Sequence, residues 1–291
     1  MAEAYRRGVD LIEVAQAIGV ELLQRLPHGE NSGAHAVRTA DGVDAVLKAA
    51  ATEPGEAWPE ALVVGALRTR GYPVPAILRS GTISAVHYEL SELIDGTPLD
   101  QPTAAQLPAI RAVVGRQRAI GLGRGDWVEH MVTSVTDGCA GYCDHAAMQT
   151  YSEATRALLD RLRRLADACR DIEPAVDDAV HYDFSPYNIL VRGDQITGVV
   201  DWDGARLGDA GFDLVTLAFY TYDPAVRDAL LAAASESSPP RAVELYAAHM
   251  VLRQVDWSIR HHGPAEVEWF MGLGDALLGR TAQIRRPGQF R

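Results

Sequence analysis

The chain has 291 residues, 47% hydrophobic and 23% charged, an ordinary globular composition with length for one large or two modest domains. Its net charge of −12 disfavours nucleic acid as a partner, since phosphate contacts need basic patches, and suits a polar or cationic small molecule. No apolar run approaches the ~20 residues of a membrane span, and three cysteines make no disulfide framework, which reads as a cytoplasmic protein without membrane association. The first residues put an acid before the arginines with no apolar stretch behind them, so no signal peptide is expected.

Taken in order, residues 3–18 carry helical periodicity (Val9, Leu11, Ile12, Val14, Ile18) and stop at Gly19, a C-cap. Residues 21–26, 35–38 and 43–49 read as strands, joined by a loop at 27–33 and a hairpin turn at 40–42. The third strand carries Lys48, the one lysine among 27 Lys and Arg side chains. A composition biased toward Arg, Ala and Gly replaces lysine wherever either cation serves. The survivor therefore marks a place that needs a compact ammonium on a slim stem. A helix over 59–70 and strands over 76–79 and 85–92 complete a five-stranded antiparallel sheet.

The rest reads as mainly helical, over 103–119, 126–134, 148–170, 209–221, 224–235, 239–262 and 264–280. A loop over 136–145 interrupts the series with Cys139, Cys143 and His145. A structural zinc site needs four ligands, usually in two pairs, and no second pair is visible, so this reads as a flexible acceptor-side loop.

The chemistry sits in residues 181–203. His181-Tyr-Asp-Phe-Ser-Pro-Tyr-Asn-Ile-Leu is a polar loop running into a short strand, 189–191; a second strand, 196–200, delivers Asp201 and Asp203. Phosphoryl transfer needs this inventory. An aspartate in a loop, Asp183, can orient an acceptor hydroxyl and take its proton. An amide and a carboxylate, Asn188 and Asp201, can hold magnesium by oxygen and leave room for phosphates and water.

The stretch resembles the aminoglycoside phosphotransferase family, kinase-like enzymes whose motif runs roughly His-Gly-Asp-Leu-His-Pro-Gly-Asn-Ile-Leu, then Ile-Asp-Trp-Glu/Asp. This chain keeps His181, Asp183, Pro186, Asn188, Ile189, Leu190, Asp201 and Trp202, and departs with Tyr182 and Tyr187 where glycine is usual, Phe184 for Leu and Ser185 for the second His. Downstream, Asp213 in Gly208-Asp209-Ala-Gly-Phe-Asp-Leu resembles the acid that braces the catalytic loop.

The resemblance implies a protein-kinase-like α+β fold. Residues 1–95 would form a small antiparallel-sheet, nucleotide-binding lobe, and 96–291 a larger helical lobe for catalysis and acceptor binding. It implies that Lys48 anchors the α- and β-phosphates of ATP, held by Glu60 (Glu56 competes), and that Gly29, Asn31 and Ser32 cover the phosphates. Backbone groups of Ser91 and Leu93 would take adenine, with Leu90 behind the base. Asn188 and Asp201 would hold Mg²⁺, Asp183 would act as base, and His181 would shape the loop. The implied reaction moves the γ-phosphoryl group to a hydroxyl of a small polar antibiotic (an aminoglycoside, a macrolide or a cationic tuberactinomycin peptide) in a monomer or dimer. Near the catalytic loop, Asp256 beside Trp257 is a candidate contact for a cationic acceptor. Rival readings are a choline- or homoserine-type kinase, a pseudokinase, which the intact reacting groups oppose, and a metal-dependent hydrolase using His181, Asp183, Asp201 and Asp203, which leaves Lys48 unexplained.

Overall fold

A short helix packs on one face of an antiparallel sheet and leaves the other face to Lys48. The computed structural model describes residues 10–26, 33–51, 60–83, 85–139 and 141–284. Helix α1 (Leu11–Ile18) starts at Asp10, whose carboxylate accepts from the N–H groups of Ile12 and Glu13. It stops at Gly19, left-handed at φ 73°, where the N–H groups of Gly19 and Val20 close on Gln16 and Ala15.

Strands β1 (Glu21–Arg25), β2 (His35–Arg38) and β3 (Asp44–Ala51) follow, then α2 (Glu60–Thr69), β4 (Ile77–Ile83) and β5 (Val86–Glu92). The sheet runs in the order β1-β2-β3-β5-β4 with every neighbour antiparallel. Period-two alternation along β3 sends Ala45 and Leu47 under Val14, Ala15 and Ile18 of α1, together with Val37 and Leu90. By the same alternation Lys48 faces the opposite side.

The remainder comprises β6 (Thr97–Pro98), α3 (Leu107–Arg116), α4 (Trp127–Thr136), α5 (His145–Tyr151), α6 (Glu153–Asp167), β7 (Asp178–Val180), β8 (Ile189–Arg192), β9 (Gln195–Val199) and β10 (Arg206–Gly208). It ends with α7 (Gly211–Phe219), α8 (Pro224–Ser235), α9 (Pro240–His261) and α10 (Pro264–Ile284). Strand β8 lies between β6 and β9, and β10 pairs with β7. One core runs from Val63, Val64 and Leu67 of α2 to Leu245, Met250, Val251 and Val255 of α9. Burial of each such side chain is worth roughly 1.5–3 kcal/mol, so this core joins the sheet region to the helices. No helix among the described residues is long and apolar enough to cross a membrane.

The five-stranded sheet and the helical remainder follow the expected α+β order. The helix expected over 148–170 is instead two. Ser152 turns extended and forms a reciprocal capping box with Thr155, which starts α6 afresh, while α5 begins at His145, capped by Asp144. Residues 145–151 thus take helical form across the end of the stretch expected as a loop.

Candidate active site

The loop 181–188 joins β7 to β8 and is pinned by its backbone. Asp213, in the first turn of α7, accepts from the N–H groups of His181 at 2.8 Å and Tyr182 at 3.1 Å, and from the Gln117 amide at 2.6 Å. Asp213 is fully buried, and burial pushes its carboxyl up to about 6 against the opposing pull of His181 and these donors. Just before it, Asp209 accepts from the Gly211 N–H, the Ser238 hydroxyl and the Tyr246 hydroxyl, and a side chain at Gly208 would run into the Trp127 ring.

His181 joins this loop to the strand end that carries Asp201. Its Nε2–H donates to the Val200 carbonyl at 2.8 Å, so Nδ1 is the bare nitrogen and accepts from the Asp183 N–H at 3.3 Å. The ring is fully buried and edge-on to Trp202 at 4.6 Å. Next to it, Tyr182 sits at φ 73° and Asp201 at φ 66°. Aspartate tolerates the left-handed region; tyrosine there is strained by about 1–2 kcal/mol. The Tyr182 side chain is nearly buried, stacked on Phe212, with its hydroxyl 2.9 Å from His249 and 3.0 Å from His130. Burial lowers the pKa of both histidines, His130 to about 4.

Asp183 and Asn188 meet directly. The Asn188 amide N–H₂ donates to the Asp183 carbonyl at 2.9 Å and to its Oδ2 at 3.1 Å, which leaves the Asn188 side-chain oxygen for another partner. Arg253 of α9 donates to Asp183 Oδ1 at 3.1 Å. The Val200 N–H donates to the Asn188 carbonyl at 2.9 Å. Asp183, Asn188 and His181 therefore belong to one bonded assembly, tied to Val200, the residue before Asp201.

The sheet contributes the cation. Lys48 Nζ lies 2.5 Å from Asp201 Oδ1 and 3.3 Å from both Asp203 oxygens. Burial alone would lower the lysine pKa, but the two carboxylates outweigh it and raise it, so the ammonium stays charged. Burial likewise would raise Asp201, and the Lys48 charge and hydrogen bond hold it below its usual range. Asp203 moves up, through burial, with the neighbouring Asp201 charge adding to it. Glu89, opposite Lys48 on β5, is raised by burial. Asp203, given a role in the sequence only by the hydrolase reading, has both oxygens facing Lys48. The spacing Asp-x-Asp at a strand end was the available signal.

Gly29, Asn31 and Ser32 lie outside the described residues. Glu60 opens α2, and its side chain also lies outside them. Ser91 is buried on β5 between β3 and β4, and Leu93 follows one residue beyond the strand. Asp256 is fully buried, with its carboxylate taken by Arg260 at 2.7 and 3.0 Å and by the Asp144 N–H at 3.0 Å, so it presents no charge to an acceptor. Trp257 stacks on His261. In the 136–145 stretch the Cys143 thiol hydrogen-bonds Cys139 and lowers it to about 7, while His145 is tied to the Val135 carbonyl.

Among the described residues no group of three or more His, Cys, Asp or Glu side chains gathers to hold a metal ion. The oxygens of Asn188, Asp201 and Asp203 match instead a hard cation that takes one or two carboxylates and completes its shell with phosphate and water. A charged lysine, such a cation site and an oriented aspartate together suit in-line phosphoryl transfer.

Comparison with known proteins places the chain in a family. The profile of the phosphotransferase enzyme family matches residues 23–246. Hygromycin-B 4-O-kinase of Escherichia coli is 25% identical over 167 residues, a match spanning 51% of this chain and only 48% of that protein. A thermostable mutant of aminoglycoside phosphotransferase APH(4)-Ia, solved as a ternary complex with ADP and hygromycin B, superposes with a TM-score of 0.65 at 21% identity, covering 92% of this chain and 97% of that one. The amicoumacin kinase hAmiN, solved in complex with AMP-PNP, Ca²⁺ and Ami, superposes with a TM-score of 0.66 at 14% identity, covering 97% of this chain and 99% of that one. These likenesses establish the kinase-like two-lobe fold, and with the family profile covering more than half its length, the chain belongs to the phosphotransferase enzyme family.

Proposed function

We propose that this protein is an ATP-dependent O-phosphotransferase that moves the γ-phosphoryl group to a hydroxyl of a small polar antibiotic. The contact of Lys48 with Asp201, beside Asn188 and Asp183, carries this reading, since it joins a phosphate anchor, a cation site and a base. The relatives named as hygromycin-B, aminoglycoside and amicoumacin kinases support the acceptor class. The net charge of −12 supports a cationic acceptor.

In this reading residues 1–95 bind nucleotide and 96–291 supply catalysis and the acceptor site. Lys48, held by Glu60, anchors the α- and β-phosphates, Gly29, Asn31 and Ser32 cover them, and the backbone of Ser91 and Leu93 takes adenine. Asn188 and Asp201 hold Mg²⁺, which neutralises charge on the phosphates. Asp183 orients the acceptor hydroxyl and takes its proton as the new O–P bond forms and the bond to the ADP oxygen breaks. His181 keeps the loop against the Asp201 strand end. The enzyme works in the cytoplasm as a monomer or dimer.

The test is a coupled ADP-release assay with ATP and Mg²⁺ against hygromycin B, other aminoglycosides, macrolides, tuberactinomycins, choline and homoserine. Stimulation by one antibiotic class supports the proposal. Stimulation by a metabolite alcohol alone moves the acceptor class, and silence across the panel with ATP still bound shifts the reading to an acceptor outside the panel or to a pseudokinase.

A further inference from the structure

Both oxygens of Asp183 are engaged, and one of the donors comes from far away in the chain. Oδ2 accepts from Asn188 at 3.1 Å, while Oδ1 accepts from Arg253 Nη2 at 3.1 Å, 70 residues further on. The second amino group of the same guanidinium, Nη1, donates to the Tyr182 carbonyl at 2.6 Å. The guanidinium carbon lies 5.3 Å from the centroid of the Tyr182 ring, a cation–π distance. Arg206 stands at the same distance from that ring. Only 22% of the Arg253 side chain is exposed, against 39% for Asp183.

Stability alone gives little reason for this arrangement. The cost of desolvating an ion pair offsets most of its attraction, and a half-exposed partner weakens the attraction further. Orientation is a better account. A planar guanidinium that bonds the carboxylate and the preceding carbonyl at once fixes Asp183 relative to its own backbone, which a single point charge would not do. The ring beneath it belongs to Tyr182, at a φ of 73° that glycine would adopt without strain. The chain thus accepts a strained residue where only a side chain could supply the seat for Arg253.

We propose that Arg253 is a positioning residue for the transfer reaction: seated on the Tyr182 ring, it holds the Asp183 carboxylate in the one orientation that meets the acceptor hydroxyl. This rests on Asp183 being the base. The arrangement also leaves the nucleotide side of the site, Lys48, Asp201 and Asp203, without a contact to Arg253.

The experiment compares full-length Arg253→Met, Arg253→Lys and Asp183→Asn with wild type. Turnover is measured with ATP, Mg²⁺ and the acceptor giving most ADP release in the panel above. Folding and nucleotide binding are followed by the thermal shift with AMP-PNP and Mg²⁺, and Asp183 is observed in crystals of Arg253→Met with the same additions. The expected result is a kcat lower by ~10²-fold in Arg253→Met, with the AMP-PNP shift and the KM for ATP retained. Arg253→Lys should recover only part of this loss, because an ammonium lacks the fork. In the crystal, the Asp183 carboxylate should leave its single orientation. Wild-type kcat in Arg253→Met while Asp183→Asn is inactive overturns the proposal, as does an unmoved Asp183 in the crystal. Full transfer by Asp183→Asn instead removes the base assignment, and the positioning role with it.

Discussion

Lys48 Nζ stands 2.5 Å from Asp201 Oδ1 across 153 residues of chain. With Asp203 also bonded to it, the ammonium bridges β3 of the sheet to the strand end beyond β9. Arginine keeps the charge but needs width for its planar fork. We therefore expect Lys48→Arg to lower turnover by ~10²-fold in the ADP-release assay. Full activity would refute the requirement for a compact ammonium.

Asp183→Asn retains the shape of the side chain and its contact with Asn188 while removing the base. Turnover should fall by ~10²–10⁴-fold. The AMP-PNP thermal shift should persist, because Asp183 does not bond Lys48 or Asp201. Unchanged turnover would take the base role away from Asp183.

Asp213 ties stability to pH. Its folded-state pKa of about 6 lies above the ordinary 3.8 of an aspartate, so the folded state binds the proton more tightly than the unfolded chain. The associated stability is fully present below about pH 4 and is lost as pH rises through about 6. For a buried group this amounts to ~3 kcal/mol. Urea unfolding of Asp213→Asn should therefore show less loss between pH 4 and 7 than wild type, although the variant starts lower because one backbone N–H loses its acceptor. Parallel pH profiles for the two proteins would contradict the raised carboxyl.

Tyr182→Gly sets relief of backbone strain against loss of packing. Glycine at φ 73° recovers about 1–2 kcal/mol. Removing a nearly buried ring stacked on Phe212 and bonded to His130 and His249 costs about 3–5 kcal/mol. The net expectation is a loss of about 1–4 kcal/mol in urea unfolding. A stabilised variant would mean that the ring's packing is worth less than the strain.

The thiols differ in reactivity. Cys139 is partly exposed, and the Cys143 hydrogen bond lowers it to about 7, while Cys143 and Cys169 are buried. Iodoacetamide should modify Cys139 first, with a rate that rises through about pH 7. Peptide mapping that finds the label on Cys143 or Cys169 first would rule this out.

The candidate site was partly legible because much of it is local. His181, Asp183 and Asn188 lie in one loop, and Asp201 stands at the end of the hairpin that follows it. Alternating apolar residues marked the five sheet strands to within a few residues of their ends. The strands β6, β7 and β10 escaped because two or three residues cannot display a period, and only their partners hold them extended. The break at Ser152 was concealed because 148–170 keeps its helical spacing across the cap.

The amino-acid sequence by itself determined the α+β order, and it marked out the candidate groups of the 181–203 stretch and the singular Lys48, since each rests on residue type, spacing or composition along the chain. Tertiary structure alone decided that Lys48 meets Asp203 as well as Asp201, that Asp256 is spent on Arg260, and that Arg253 reaches Asp183. Those partners lie on different strands, helices and loops, and packing of the shared core brings them together. Contacts of that kind follow from how whole elements bury their apolar faces, and leave no repeat or motif in the sequence to read.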